Sequence, residues 1–266
     1  MNIPRLLGGK SNETRAADAY NLGLAAKYEG KWEESLRQNQ LADGLRPGDE
    51  ATLWNLAIAA TALSDWDTAR RAWRACGIET NEGPGEVLIP RVAGCVRLNP
   101  NGKSEVVWGR RLDPVRILVE NVPLPESNRR CDDIILHDGA PAGTRVSGGQ
   151  EYPVFDELEV WRVSKHSTFE VDLVAPNETA FASLVAKCQE EQLGVEDWST
   201  IRTLCEACSR GIPGEHHCTK VRNGEKRYGF AAPSEAALQR VLAEWSELED
   251  GAYVSEIRLA LSATID

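Results

Sequence analysis

The sequence has no apolar run approaching the ~18 residues that a membrane-crossing helix needs. Its first residues, MNIPRLLGGKSNETR, hold no apolar core of the kind a secretory signal carries. The expected compartment is therefore the cytoplasm, with no membrane contact. A broad basic patch is missing too. The densest basic groups, Arg70-Arg71 with Arg74 and Lys220 to Arg227, are short. No RNP-type aromatic motif lies on the strand candidates, so nucleic-acid binding is not expected. No nucleophile motif or carboxylate pair is visible, which argues against catalysis at the level of residue types.

What is present is ordinary in amount and uneven in charge. The chain has 266 residues, 42% hydrophobic and 27% charged, which suits a globular protein of more than one domain. The formal net charge is -11. An acidic surface keeps a protein soluble, and it also favours docking on a basic protein. Seven cysteines in a reducing compartment read as packing residues or metal ligands rather than disulfides.

Shifting the chain by 34 residues exposes a repeat. Tyr20-Asn21-Leu22-Gly23 falls on Trp54-Asn55-Leu56-Ala57, Ala26 on Ala60, Trp32 on Trp66, Ser35 on Ala69 and Ala42 on Cys76. Small residues at Gly23, Ala26, Ala57 and Ala60 let paired helices approach closely. Gly30 and Ser64-Asp65 mark turns within the copies, and Pro47-Gly48 separates them. With that period and those residues, the segment resembles the tetratricopeptide repeat, a helix-turn-helix unit. Leu22, Gly23, Ala26, Ser35, Ala42 and Pro47 match its pattern in the first copy; Leu56, Ala57, Ala60 and Ala69 match in the second. The resemblance implies a concave face for a protein partner, carrying Asn21, Lys27, Tyr28 and Asn55. A capping or inter-helix hydrogen bond is the other reading of the two asparagines.

Residues 81–165 read as β-rich. NEGPGEVLIP has linker composition. Short strands are expected at 86–89, 92–98, 104–110, 115–119, 132–136 and 158–163. Asn101-Gly102 is a hairpin signal. The spacing suggests a small antiparallel barrel or sandwich. His137-Asp138-Gly139 reads as a turn after a strand rather than a catalytic element. Cys131, after Arg129-Arg130, is a candidate for a lowered thiol pKa, with a structural thiol as the plainer reading.

Residues 166–266 contain a second duplication. FEVDLVAP-NETAFASLVAKCQEE and KRYGFAAP-SEAALQRVLAEWSEL each run from a strand ending in Ala-Pro to a helix cap, Asn177 or Ser234. From each cap, apolar residues recur four, seven, eight and eleven positions on. These are Phe181, Leu184, Val185 and Cys188, then Leu238, Val241, Leu242 and Trp245. That is one face of an amphipathic helix, placed twice. Further strands are expected at 199–204 and 254–261. The order β-α-β, β-α-β resembles the ferredoxin-like arrangement, with Leu184 and Val241 buried at equivalent places. The expected class is thus α+β, with domains 1–80, 81–165 and 166–266.

The link between the two copies carries CEACSRGIPGEHHC. Cys205, Cys208, Cys218 and one of His216 and His217 would supply a tetrahedral zinc site of structural type. Unligated loop thiols and a redox pair are the alternatives. A redox pair would want its Cys-x-x-Cys at a helix start.

The repeats, the charge and the lack of a catalytic set point to a non-enzymatic protein that binds one cognate, basic protein. The combination is similar to bacterial repeat proteins that partner secreted toxins, including immunity proteins. Besides the repeat face, the acidic residues Glu247, Glu249 and Asp250, with Glu190-Glu191, are candidate contacts. The two groups end equivalent helices and are expected at one end of the domain. The alternatives are a scaffold or chaperone adaptor, and a zinc-dependent enzyme with Glu215 as base.

Overall fold

The computed structural model describes residues 10–200 and 226–263. It is an α+β protein, with helices first and strands in the middle and C-terminal parts. The described residues form two compact units. One runs to Pro90 and includes Asp113–Val115; the other holds Arg91–Leu112 and the chain from Arg116 onward.

The first unit is built from four helices: α1 (Asn12–Tyr28), α2 (Trp32–Leu45), α3 (Glu50–Ala62) and α4 (Trp66–Ala75). Local chemistry starts three of them. Ser11, Asp49 and Asp65 each accept a hydrogen bond from the backbone N–H three residues on, satisfying donors that the helix leaves unpaired. The chain reverses at Gly30, Gly48 and Ser64, where the spacing predicts turns. Gly23 is small for a reason: a Cβ there would stand 2.6 Å from Asn39 Nδ2. The Ser35 hydroxyl donates to Gly23 O at 2.9 Å, tying α2 to α1. α3 has no polar stripe; nearly every residue from Thr52 to Thr61 is buried, as expected of a helix enclosed by packing. Trp54 and Trp73 meet edge to face with centroids 4.9 Å apart.

The segment 81–90 is not a plain linker, and 86–89 is not a strand. Asn81 exchanges side-chain bonds with Glu86 O and the Leu88 N–H. Arg70 donates to Asn81 O and Gly85 O. Val87 is fully buried. Side chains rather than a ladder hold this backbone.

The second unit contains two sheets. β1 (Val92–Leu98), β2 (Glu105–Arg111), β3 (Arg116–Val119), β4 (Ile134–Ser147) and β5 (Gln150–Arg162) form a closed barrel. Neighbours run antiparallel, except that β5 closes on β1 in parallel, Val96 opposite Phe155. Val96, Leu98, Val107, Ile117, Val119 and Ile135 fill the interior. The strands expected at 132–136 and 158–163 are parts of two much longer ones, of 14 and 13 residues. Gly148-Gly149, both at positive φ, make the two-residue turn that joins them. Irregular register between Leu136 and Gly143 accommodates Pro141 inside β4. His137-Asp138-Gly139 therefore lies within a bulged strand, not in a turn.

The other sheet has β6 (Ser167–Val174), β7 (Gly194–Asp197), β8 (Tyr228–Ala232) and β9 (Tyr253–Leu261) in the order β7-β8-β6-β9. All its pairings are antiparallel. α5 (Glu178–Glu190) follows β6, and α6 (Glu235–Leu248) follows β8. Asn177 and Ser234 cap them as the spacing predicts. Leu184, Cys188, Leu238, Val241, Leu242 and Trp245 are buried in one core with Phe169, Val171 and Phe230. Of the strand expected at 199–204, residues 201–204 lie outside the described residues; Trp198–Thr200 is a 3-10 turn, and the strand that precedes it is β7. That turn lays Trp198 across β8. A Cβ on Gly229 would overlap the indole at 2.2 Å, and the indole N–H donates to Val122 O at 2.9 Å. Val122, Cys131, Trp198 and Ala231 thus join barrel and sheet.

Candidate partner-binding site

Asn21 and Asn55 are equivalent in the repeat but not in exposure. Asn21 is exposed on α1. Asn55 is 6% exposed, and its amide donates to Ala51 O one turn back in α3. Lys27 is buried, with its ammonium 4.4 Å from the Tyr28 ring centroid, while Tyr28 is 63% exposed. Asn21 and Tyr28, seven residues apart, share one stripe of α1. Of the four residues that the repeat resemblance implies, these two present their side chains to solvent.

The acidic groups part company. Glu191 pairs with Arg240 at 2.5 Å, and Lys187 with Glu244 at 2.6 Å. Residue numbers fall along one helix as they rise along the other, so α5 and α6 are antiparallel. The cause is that β6 and β8 are antiparallel, with each strand feeding its own helix back across the sheet. The expectation that both acidic ends lie together is corrected. Arg240, which meets the end of α5, is roughly 12 Å along α6 from Leu248, at ~1.5 Å per residue.

The end of α6 is rich in carboxylates. Glu247 and Asp250 are exposed, Glu249 is partly buried at the cap, and none has an ion pair among the described residues. The last turns of α1, α4 and α5 carry Lys27, Arg74 and Lys187, which complement the negative end of a helix dipole. The last turns of α2, α3 and α6 have no basic residue, and that of α6 runs on into Glu249 and Asp250. Its carboxylates face a like partial charge and are mildly destabilising where they stand.

Two groups singled out from sequence are chemically quiet. His137 is fully buried, stacked on Phe155 at 4.4 Å, with Nδ1 2.7 Å from Asp138 O and no partner for Nε2. Burial pulls its pKa down to about 3, so the ring stays neutral. Cys131 is shifted opposite to the lowering considered for it. Burial, reinforced by the Asp132 charge, pushes its thiol up to about 12. The 205–218 segment, with Cys205, Cys208, Glu215, His216, His217 and Cys218, lies outside the described residues. Among the described residues no group of three or more His, Cys, Asp or Glu side chains is placed to hold a metal.

Comparison with protein-family models, with curated proteins and with solved structures gives no match.

Sequence reasoning missed a pair of partly buried carboxyls where barrel and sheet meet. Glu105, at the start of β2, accepts from the Leu124 N–H at 3.1 Å. Burial pushes its pKa up to about 7, and the nearby Glu196 and Glu126 charges add to the rise. Glu196, on β7, accepts from the Asn121 amide at 2.7 Å and is likewise raised by burial. Ninety-one positions separate 105 from 196, and no local signal links them. An open polar cleft of about 540 Å³ lies beside the β1–β2 turn. Its Arg129 is already engaged by Glu157 at 2.6 Å, by Asn99 Oδ1 and by the carbonyls of Ser127 and Asn128. This guanidinium acts as a brace.

Proposed function

We propose that this chain is a non-enzymatic binding protein of the cytoplasm that captures one basic protein, as a bacterial immunity protein captures its cognate toxin. The observation that carries the reading is the uncompensated acidic end of α6. A helix end that opposes its own dipole, on a chain of net charge -11, costs stability, and no ion pair among the described residues offsets it. Such a local conflict fits a surface kept for a partner. Exposed carboxylates without internal cations project their field into solvent and speed encounter with a basic surface.

Two finer fold readings belong to this proposal. The hairpins α1-α2 and α3-α4, with the close contact at Gly23, support reading residues 1–80 as tetratricopeptide-like. The order β7-β8-β6-β9, with one helix after each of β6 and β8, supports a ferredoxin-like reading of 166–266. Asn21 and Tyr28 are the second candidate contact, through the repeat resemblance. A structural zinc held by Cys205, Cys208, Cys218 and His216 or His217 also belongs to the reading. Elemental analysis of chelator-free protein tests it: about one zinc per chain supports it, and none removes it.

The partner is sought by capture from the native source at low and high salt, with wild type and a Glu247→Lys/Glu249→Lys/Asp250→Lys variant. One basic protein retained by wild type, and captured more slowly by the variant at low salt, is the expected result. Capture indifferent to both salt and charge reversal would reject the α6 end as the contact.

A further inference from the structure

β9 forms the edge of its sheet; among the described residues it pairs with β6 alone. Irregularities opposite Asp172/Leu173 and Thr168/Phe169 leave Ser255 and Ala260 without cross-strand partners. Between them Glu256, Ile257, Arg258 and Leu259 run in regular register against Asp172, Val171, Glu170 and Phe169. Edge strands are commonly blunted by charged side chains, by Pro, by bulges or by being very short. β7, at the opposite edge, has four residues. β9 has nine and no Pro; its charges, Glu256 and Arg258, lie between the two irregularities, and it exposes Tyr253 by 55% and Leu259 by 56%.

We propose that this edge pairs with the β9 edge of a second copy of the chain, antiparallel, about a twofold axis at Ile257. Charge selects the register. Directly opposed residues of an antiparallel pair put their side chains on the same face, so the axis must pass through a residue. At Ile257 it sets Glu256 of each copy opposite Arg258 of the other, giving two cross-strand ion pairs. At Arg258 or Glu256 it would set that charge against itself. The Arg258 guanidinium is already held in place by Asp172, at 2.7 and 2.9 Å, and by Glu256. It would meet the second copy's carboxylate as a fixed cation. Ile257 faces its own copy across the axis, covering apolar surface that the single chain partly exposes. Residues 256–258, inside the regular run, are symmetric about Ile257. The paired sheets would form one continuous sheet of eight strands.

Sedimentation velocity on the full chain from about 5 to 100 μM, in 150 mM salt, tests this. The expected mass at the upper concentrations is twice the 29.3 kDa of the chain. A monomer throughout overturns the proposal. Leu259→Lys and Glu256→Arg then test the register; both side chains are exposed, and circular dichroism checks that the fold is kept. Each should weaken the dimer at least tenfold, the first by charging the edge and the second by opposing Arg258 with arginine. A dimer that survives both unweakened also overturns the proposal.

Discussion

The two copies of strand, cap and helix in the C-terminal part agree where they fold and disagree where they end. Both helices begin at a side-chain cap, and both bury an apolar stripe against the same core. α5 finishes with Lys187 in its last turn and with Glu191 neutralised by Arg240. α6 finishes with Glu247, Glu249 and Asp250, with no basic residue in its last turn and no ion pair among the described residues. Shared features answer to packing, which both copies must satisfy. The differing feature has no ion-pair partner among the described residues, and that is why it is the better guide to function.

Breaking the shared part should have the largest effect, and the same one in each copy. Leu184→Asp and Val241→Asp each put a charge where exposure is 0% or 1%. Each should cost about 4 kcal/mol or more and unfold the C-terminal sheet, as urea titration would read. Tolerance of either would mean that the copies are not structurally equivalent.

The copies also differ in their second strands, since β7 carries Glu196 into the seam with the barrel, beside Glu105. Glu105 is raised from 4.5 to about 7 in the folded chain, so the folded state keeps a proton that the unfolded state has lost. Its contribution is therefore fully present below pH ~4.5, falls as pH rises toward 7, and stays lost above that. Glu105→Gln should remove this loss. Relative to wild type it should gain on the order of 1–3 kcal/mol between pH 5 and pH 8 in paired urea titrations. A difference independent of pH would mean that Glu105 titrates normally.

Caps come next. Asn177→Ala and Ser234→Ala should each cost about 1 kcal/mol, alike within error, because both side chains accept from the same helix position. The smallest effect belongs to the differing ends. Glu247→Lys/Glu249→Lys/Asp250→Lys should raise the melting temperature by about 1–3 °C at low salt. Lys187→Glu should lower it, since it sets a carboxylate beside Glu244 and against the helix dipole.

How much of this was legible beforehand depends on how local each cause is. Caps and stripes are set within one helix, and Asn177, Ser234, Leu184 and Val241 sit as their spacing predicts. The β4–β5 hairpin was not legible, because Pro141, Pro153 and several glycines make its strands look like loop. Bulges accommodate such residues only once partner strands are in place. The relation of Asn21 to Asn55 failed for a different reason. Position in the repeat is the same, but α3 is enclosed and α1 is not, and enclosure is set by the whole unit. The antiparallel sense of α5 and α6 is implicit in the β-α-β, β-α-β topology, and it sets the two acidic ends apart. The carboxyl pair depends on two elements meeting across the seam, which no pattern along the chain records.

The central claim is that the acidic end of α6 steers a basic partner rather than supporting the fold. The most direct measurement is the association rate of that partner with wild type and with the triple Lys variant, at about 50 and 500 mM salt. The account predicts a rate at least tenfold slower for the variant at low salt, with the two converging as salt screens the field. Equal association rates at low salt would contradict it.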